Sequence, residues 1–537
     1  MCDIHPKKLT KEERHDLEHT FWSRRSFLQA LGITGAGTMM IGNNLMSASS
    51  LSPLSMAINN AETDNILVLI RLNGGNDGLN TIVPLNQFDV YANNRPSIYI
   101  PESKVINLTD EFGMAGYMKN LEPLWGEGAM KVVHGVGYPE QNLSHFTSSD
   151  IWASTEHLTR LRTGWMGRYF EDIYPDYLVT PPETPAAIQI GSFGNLIFEG
   201  TQTNYAFVTA NPNQLERIAQ QGQVYPVENM PDCMYGDQLR FLRGTTNTTY
   251  KYAGVIHDAY ERGRNDVEYD DNNFAKQLAI LARLIKGNLG TRVYMVSLNG
   301  FDTHANQPIN HERLMSRLSL AVKHFYEDLG FASMQSKVLG MTFSEFGRRI
   351  FENGSLGTDH GAAAPTLFFG PALNGNGFIG EHPDLSDPDR GNLRFTTDFR
   401  DLYATVMNKW LCIDQQMVEE YLLGRPMQNI EIGFDCNGVT NPPEPPVLVE
   451  GFEHRPVYEE NREPSVYLEV PEAGLIDIQL YNILGQRIGT VKNEIMTEGT
   501  YTIPIKDNIA TRLSTGQYIY RIDYKNRKYS KSVLIRS

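Results

Sequence analysis

Short apolar runs bounded by glycine, asparagine or charge recur along most of this chain. Residues 66–72 (ILVLIRL), 131–136, 293–298 and 338–343 (VLGMTF) are nearly continuous in apolar character and too short for buried helices. That is how strands covered on both faces read, as in a parallel sheet. Residues 366–369 add another such run. Between them, residues 274–286 (closed by Gly287), 308–329 and 398–411 carry apolar positions three and four apart. In the last of these Phe399, Leu402, Tyr403, Val406 and Trp410 share one face, as an amphipathic helix requires. Strands alternating with helices predict an α/β domain with a doubly wound, mostly parallel sheet over residues 65–436. Residues 174–269, rich in Pro, Gly, Asn and Gln, show little periodicity and read as an insertion or lid beside a cleft. Residues 437–464 contain Asn441-Pro-Pro-Glu-Pro-Pro446 and read as a semi-extended linker. The period then changes to two. Runs at 465–470, 475–481, 500–505, 516–524 and 528–535 predict a small all-β sandwich over residues 465–537.

An open α/β sheet presents its ligand-facing residues beyond the C-terminal ends of its strands. Residues 66–72 run into Asn73-Gly-Gly-Asn-Asp-Gly-Leu-Asn80, which carries Asp77. Residues 131–136 lead to a loop ending in Ser144-His145, just before a helix-like run. Residues 293–298 end in Asn299-Gly-Phe-Asp-Thr-His304, and 338–343 end in Ser344-Glu345. Asp359-His360-Gly361 precedes 366–369. Asp77, Asp302, His304, Glu345, Asp359 and His360 are therefore expected to converge. Carboxylate oxygens and imidazole nitrogens without thiolates suit a divalent metal such as Zn, Ca or Mg. Taken singly, each has a plainer reading: Asp77 as a turn residue, Glu345 or Ser144 as a helix cap. His311 and His324, within 308–329, read as helix-surface residues. The glycines fit neither a G-x-G-x-x-G fingerprint nor a P-loop.

A length of 537 residues allows two to four domains at roughly 150 residues each. The formal net charge is −16, and residues 466–537 hold ten Lys/Arg against seven Asp/Glu, so the remainder carries −19. Such a surface repels nucleic acid and anionic lipid, and no nucleic-acid partner is expected. No apolar run reaches the ~20 residues of a membrane span, so no transmembrane anchor is expected in the mature chain. Of Cys2, Cys233, Cys412 and Cys436, the pair Cys412–Cys436 is the nearest in sequence among those outside the leader.

Residues 1–57 read as an export signal: a charged lead, Ser23-Arg24-Arg25-Ser26-Phe27-Leu28, a mild apolar stretch, then small residues through Ala57. This resembles a twin-arginine signal peptide. From about 65 to 430 the chain resembles the exported bacterial domain of unknown function 1501 family. The likeness rests on GGNDGLN, SHFTSSDIW, GFDTHANQ, SEFGRR, GTDHGAAAPTLFFG and DFRDLYATV. That family is grouped with the alkaline phosphatase and sulfatase superfamily. The resemblance implies that fold, bound metal, and phosphate- or sulfate-ester hydrolysis. It implies metal roles for Asp77, Asp302, His304 and His360, with Glu345 where an aspartate usually stands. Phe346 fills a position usually held by a histidine ligand, and within 141–144 only Ser144 offers a nucleophilic hydroxyl. Those departures keep a second function open, a non-catalytic surface-displayed binding or structural protein. The last ~70 residues, with YNILGQR, LSTGQYIY and KSVLI, resemble a type IX secretion sorting domain. The partners implied are the export and secretion machinery and a small-molecule or glycan ester. The implied location is the periplasm in transit, then the cell surface or exterior.

Overall fold

The computed structural model describes residues 63–436 except 159–160, 175–176, 178–180, 192–193, 202, 222–224, 226–233 and 427. It also describes residues 452–535 except 458–463, 483–486 and short gaps between 506 and 526, and the backbone of a hairpin at Met39–Ile41 and Asn44–Met46. Apart from that hairpin, the expected export signal lies outside the described residues, as does the proline-rich part of the expected linker. Two compact units are present, one built mainly from residues 62–173 and 181–438, the other mainly from 439–537.

The first unit is organised on a nine-stranded sheet. Its strands are β1 (Ile66–Asn73), β2 (Met130–Gly137), β3 (Ala187–Ile190), β4 (Ala206–Thr209), β5 (Val293–Asn299) and β6 (Val338–Phe343). A two-stranded ribbon, β7 (Gly347–Glu352) and β8 (Thr358–Gly361), follows β6 outside the sheet. The sheet then continues with β9 (Ala364–Phe369), β10 (Gly377–Ile379) and β11 (Thr397–Asp398). The order is β10-β2-β9-β6-β1-β5-β3-β4, with β11 beside β2. Every pairing is parallel except those of β9, which runs against both β6 and β2. Two reversals cancel, so β2 points the same way as β6, β1 and β5. The C-terminal ends of these four strands share one edge.

Both faces of the sheet are covered, which is why its strands carry no polar alternation. Val68, Ile70 and Leu72 pack with Leu278, Leu281, Leu314, Leu318 and Val322. Leu67, Leu69 and Met341 alternate to the other face and are equally inaccessible. There Trp152 stacks on Phe399 at 4.4 Å and Trp165 on Tyr403 at 4.4 Å. Each such buried side chain contributes roughly 1.5–3 kcal/mol. The covering helices include α1 (His145–Ser154), α2 (Met234–Arg262), α3 (Asn273–Lys286), α4 (Gln307–Gly330) and α5 (Phe399–Thr405).

The stretch read as an unpatterned insertion differs from expectation. It supplies β3, β4 and the 29-residue α2. Residues 244–250 (GTTNTTY) are poor helix formers. In α2 the Thr246, Thr248 and Thr249 hydroxyls donate to the carbonyls four residues back, and Tyr252, Ala253, Ile256 and Ala259 join the core. Tertiary burial overrides local preference there. A disulfide joins Cys412 to Cys436, the pair expected from spacing.

The second unit is an all-antiparallel sandwich of a three-stranded sheet (Glu453–Val457, Ser465–Val470, Gly499–Pro504) and a four-stranded sheet. The latter is ordered Arg487–Met496, Gly474–Asn482, Gly516–Tyr524, Arg527–Ile535. Val466, Leu468 and Ile503 from one sheet share a core with Ile476, Ile478, Leu480 and Ile522 from the other. Residues 453–457, placed in the linker by sequence, form a strand. Its Arg, His and Glu hid the period, but it pairs residue by residue with 465–469.

Candidate metal centre

The residues expected to converge leave the sheet at its shared C-terminal edge. Asp302 and His304 follow β5, Glu345 follows β6, and His360 lies on β8 opposite Arg348 of β7. His145, the first residue of α1, comes from the loop after β2.

Three imidazoles surround Asp302. His360 Nε2 lies 3.1 Å from Asp302 Oδ1, and His304 Nε2 lies 3.2 Å from the same oxygen. The two Nε2 atoms are 2.9 Å apart. His145 Nε2 lies 3.4 Å from Asp302 Oδ2. Each ring's other nitrogen faces a group that can only accept a proton. His360 Nδ1 is 2.8 Å from the Leu143 carbonyl, His304 Nδ1 is 3.3 Å from Asp359 Oδ1, and His145 Nδ1 is 3.0 Å from Glu345 Oε1. With such partners each ring can carry a proton on Nδ1, which leaves Nε2 free to ligate. The Nε2 atoms of the three rings and the Asp302 carboxylate then form one nitrogen and oxygen donor set. A divalent cation among those atoms satisfies the set, as does a proton on one Nε2 donated to Asp302. Ligand atoms ~2.0–2.1 Å from a tetrahedral centre lie about 3.3 Å apart, close to those four separations, and His145, Asp302 and His360 bring one ligand atom each within 4.8 Å of one another.

The surroundings favour the same reading. Arg348, fully buried, donates from its guanidinium to the carbonyls of Gly74, Gly75, Phe301 and Thr358 and, at 2.8 Å, to Asp302 Oδ1. One side chain thus fixes three loops around the cluster. Burial pushes the Asp302 carboxyl up, but hydrogen bonds from Arg348 and His360 outweigh it and hold the pKa at about 2. Burial lowers the His360 pKa, which keeps the ring neutral and able to ligate. Phe346 packs on His360 at 4.4 Å and on His145 at 4.9 Å, an apolar wall beside the cluster. The Asp302 and His304 side chains remain 48% and 44% exposed, so the cluster opens to solvent.

The double glycine after β1 is a requirement of this packing. Gly74 has φ +125°, and a Cβ there would collide with the Asp302 backbone nitrogen. Its own N–H donates to Glu345 Oε1 at 2.9 Å.

The other expected residues fall in distinct places. Glu345 orients His145 and does not itself face the Nε2 atoms. Asp359 stands behind His304. Asp77 is completely buried and paired with Arg95 Nη1 at 2.6 Å, and Gln307 also donates to it. Burial raises its pKa, yet the Arg95 charge and hydrogen bonds leave it below the usual value. Its charge is already matched, so the structure does not bring it to the cluster. His311 is buried rather than on the helix surface, with Nε2 3.1 Å from Asn76 Oδ1 and Nδ1 3.0 Å from Tyr117 Oη. The α4 pattern put His311 beside polar neighbours, but the strand-end loop of residues 73–80 folds over that turn. Ser144 is exposed and caps no amide, its hydroxyl without a hydrogen bond among the described residues. Gln141 Nε2 is engaged with the Glu345 carbonyl at 3.1 Å. Sequence reasoning left out His145, Arg348 and Arg95. His145 stands in a strand-end loop like the others, and the same rule applied to it would have found it.

Residues 245–433 match the family described as "Protein of unknown function (DUF1501)". No curated protein matches the chain in sequence. Among solved structures, the lipoteichoic acid synthase LtaP from Listeria monocytogenes is 9% identical, covering 84% of this chain and 90% of its own, with a TM-score of 0.30. An alkaline phosphatase superfamily protein from Vibrio parahaemolyticus is 8% identical, covering 86% of each chain, with a TM-score of 0.28. Alkaline phosphatase from the Antarctic bacterium TAB5 is 9% identical, covering 59% of this chain and 94% of its own, with a TM-score of 0.25. At such values, what those proteins bind or act on does not transfer to this chain.

Proposed function

We propose that the chain is a metal-dependent hydrolase of phosphate or sulfate esters. One observation carries the reading: the Nε2 atoms of three imidazoles stand 3.1, 3.2 and 3.4 Å from the oxygens of Asp302, and each Nδ1 faces an acceptor. His145, His304, His360 and Asp302 would hold a divalent ion. When bound, such an ion supplies Lewis acidity toward an ester oxygen. Glu345 and Asp359 keep His145 and His304 in the ligating tautomer. Arg348 holds Asp302 ionised and in place. The open side of the cluster admits the ester, and the Ser144 hydroxyl, next to His145, is the candidate nucleophile with a water as its alternative. The test is hydrolysis of aryl phosphate and aryl sulfate esters by the full chain, before and after chelation and reloading with Zn, Ca or Mg. Hydrolysis that disappears with chelator and returns with metal is expected. A loaded protein that cleaves neither ester would leave the surface-displayed binding protein as the better reading.

The same proposal places the protein outside the cytoplasm, delivered by twin-arginine export and then surface sorting through residues 465–537. The Cys412–Cys436 disulfide supports an oxidising destination. Among the described residues, no helix is long and apolar enough to cross a membrane.

A further inference from the structure

Glu345 uses one of its two carboxylate oxygens. Oε1 accepts from Gly74 and faces His145, whereas Oε2 is buried with no hydrogen-bond partner among the described residues. Trp152, 3% exposed, likewise leaves its Nε1–H unpartnered. Burial of an unmet polar group is costly, and more so for a charge. Both residues line one small cavity with Arg71, Ser149, Asn195 and Phe343. Arg71 donates to Ser149 Oγ at 2.8 Å, and among the described residues no carboxylate oxygen lies within ion-pair distance of it. The cavity measures about 10 Å³, room for one water-sized group.

We infer that this cavity is a hydroxyl subsite for the alcohol portion of a sugar or polyol ester. The hydroxyl donates to Glu345 Oε2, and its lone pairs accept from Trp152 Nε1–H and from the Arg71 guanidinium. That pattern disfavours a charged or an apolar occupant. A phosphate or sulfate is too large and would meet the Glu345 carboxylate, while a methyl group would leave both orphans unmet. Glu345 joins the subsite to the cluster, because its other oxygen orients His145. The choice of an ester substrate rests on the hydrolase reading; the hydroxyl chemistry of the cavity does not. A solvent water offers the same chemistry, and the experiment must separate the two sources.

The probes are glycerol, methyl α-D-glucopyranoside and the hydroxyl-free 1,2-dimethoxyethane. Their binding to the chelator-treated full chain is followed by saturation-transfer NMR. None of the three imidazoles lines the cavity, so a metal-free or inactive protein still gives the signal. At least one polyol should bind and the ether should not. Trp152→Phe and Arg71→Met should each weaken polyol binding about tenfold, and the half-buried Arg71 covers the case in which Trp152→Phe fails to fold. Absence of polyol binding, equal binding of the ether, or undiminished binding in the variants would overturn the inference. So would a crystal soaked in glycerol whose cavity keeps a single undisplaced water.

Discussion

Replacing Asp77 by Asn separates a structural role from a metal-binding one. Asp77 and Arg95 are both inaccessible to solvent, 2.6 Å apart. Arg95 also donates from Nε to the Ile350 carbonyl at 2.8 Å and from Nη2 to the Arg349 carbonyl at 2.7 Å, so it cannot swing out to water without breaking both. Asn leaves that guanidinium buried without a counter-charge, which typically costs about 3–5 kcal/mol. The two main segments of the unit holding it, 62–173 and 181–438, have about 370 residues. At roughly 2.1 cal/mol/K per residue its melting entropy is near 0.8 kcal/mol/K, so the melting temperature should fall by about 4–6 °C. Calorimetry and elemental analysis of the same preparation give both readouts. A lowered melting temperature with metal content unchanged is expected. Loss of metal at unchanged stability would place Asp77 among the ligands and refute the reasoning.

Three further outcomes follow from the same contacts. Burial holds His134, His311 and His382 at about 3, 4 and 4, below the 6.5 of an unfolded histidine. Their stabilisation is complete above pH 6.5 and is lost as pH falls toward 4, because only the unfolded chain takes up those protons; at pH 5 each costs about 2 kcal/mol. A urea midpoint that does not fall between pH 8 and pH 5 would contradict this. Removing the Cys412–Cys436 bridge, whose partners are 24 residues apart, should lower stability by about 3.5 kcal/mol in the chain-entropy description, measured by denaturation of the double Cys→Ser variant. Changing Arg24 and Arg25 to lysine should leave precursor in the cytoplasm on fractionation, and undiminished export would remove the twin-arginine reading.

The strands and their reactive ends were legible because a strand buried on both faces must be nearly continuous in apolar residues, and 66–72, 293–298 and 338–343 are. Asp302, His304 and His360 could be named from their places after or before such runs. Asp77 stands at a strand end in the same way. Nothing local shows that Arg95, eighteen positions on, arrives to neutralise it. His145 was masked by its place as the first residue of a helix, where the preceding Ser144 drew the chemical attention. The helix at Met234–Arg262 was hidden because threonines and three glycines give it little intrinsic preference, and burial against its neighbours stabilises it. The strand at Glu453–Val457 was hidden because its pairing partners lie a dozen residues away, beyond any local pattern.

The metal content of the purified protein bears most directly on the account. Elemental analysis of the full chain, prepared without chelator, should find one divalent ion per molecule. His360→Ala should lose it and lower the melting temperature only modestly, because the ring, 20% exposed, packs at the rim of an open cluster. An unmutated protein that takes up no divalent ion, or a His360→Ala variant that keeps a full equivalent, would contradict the metal centre and the hydrolase built on it.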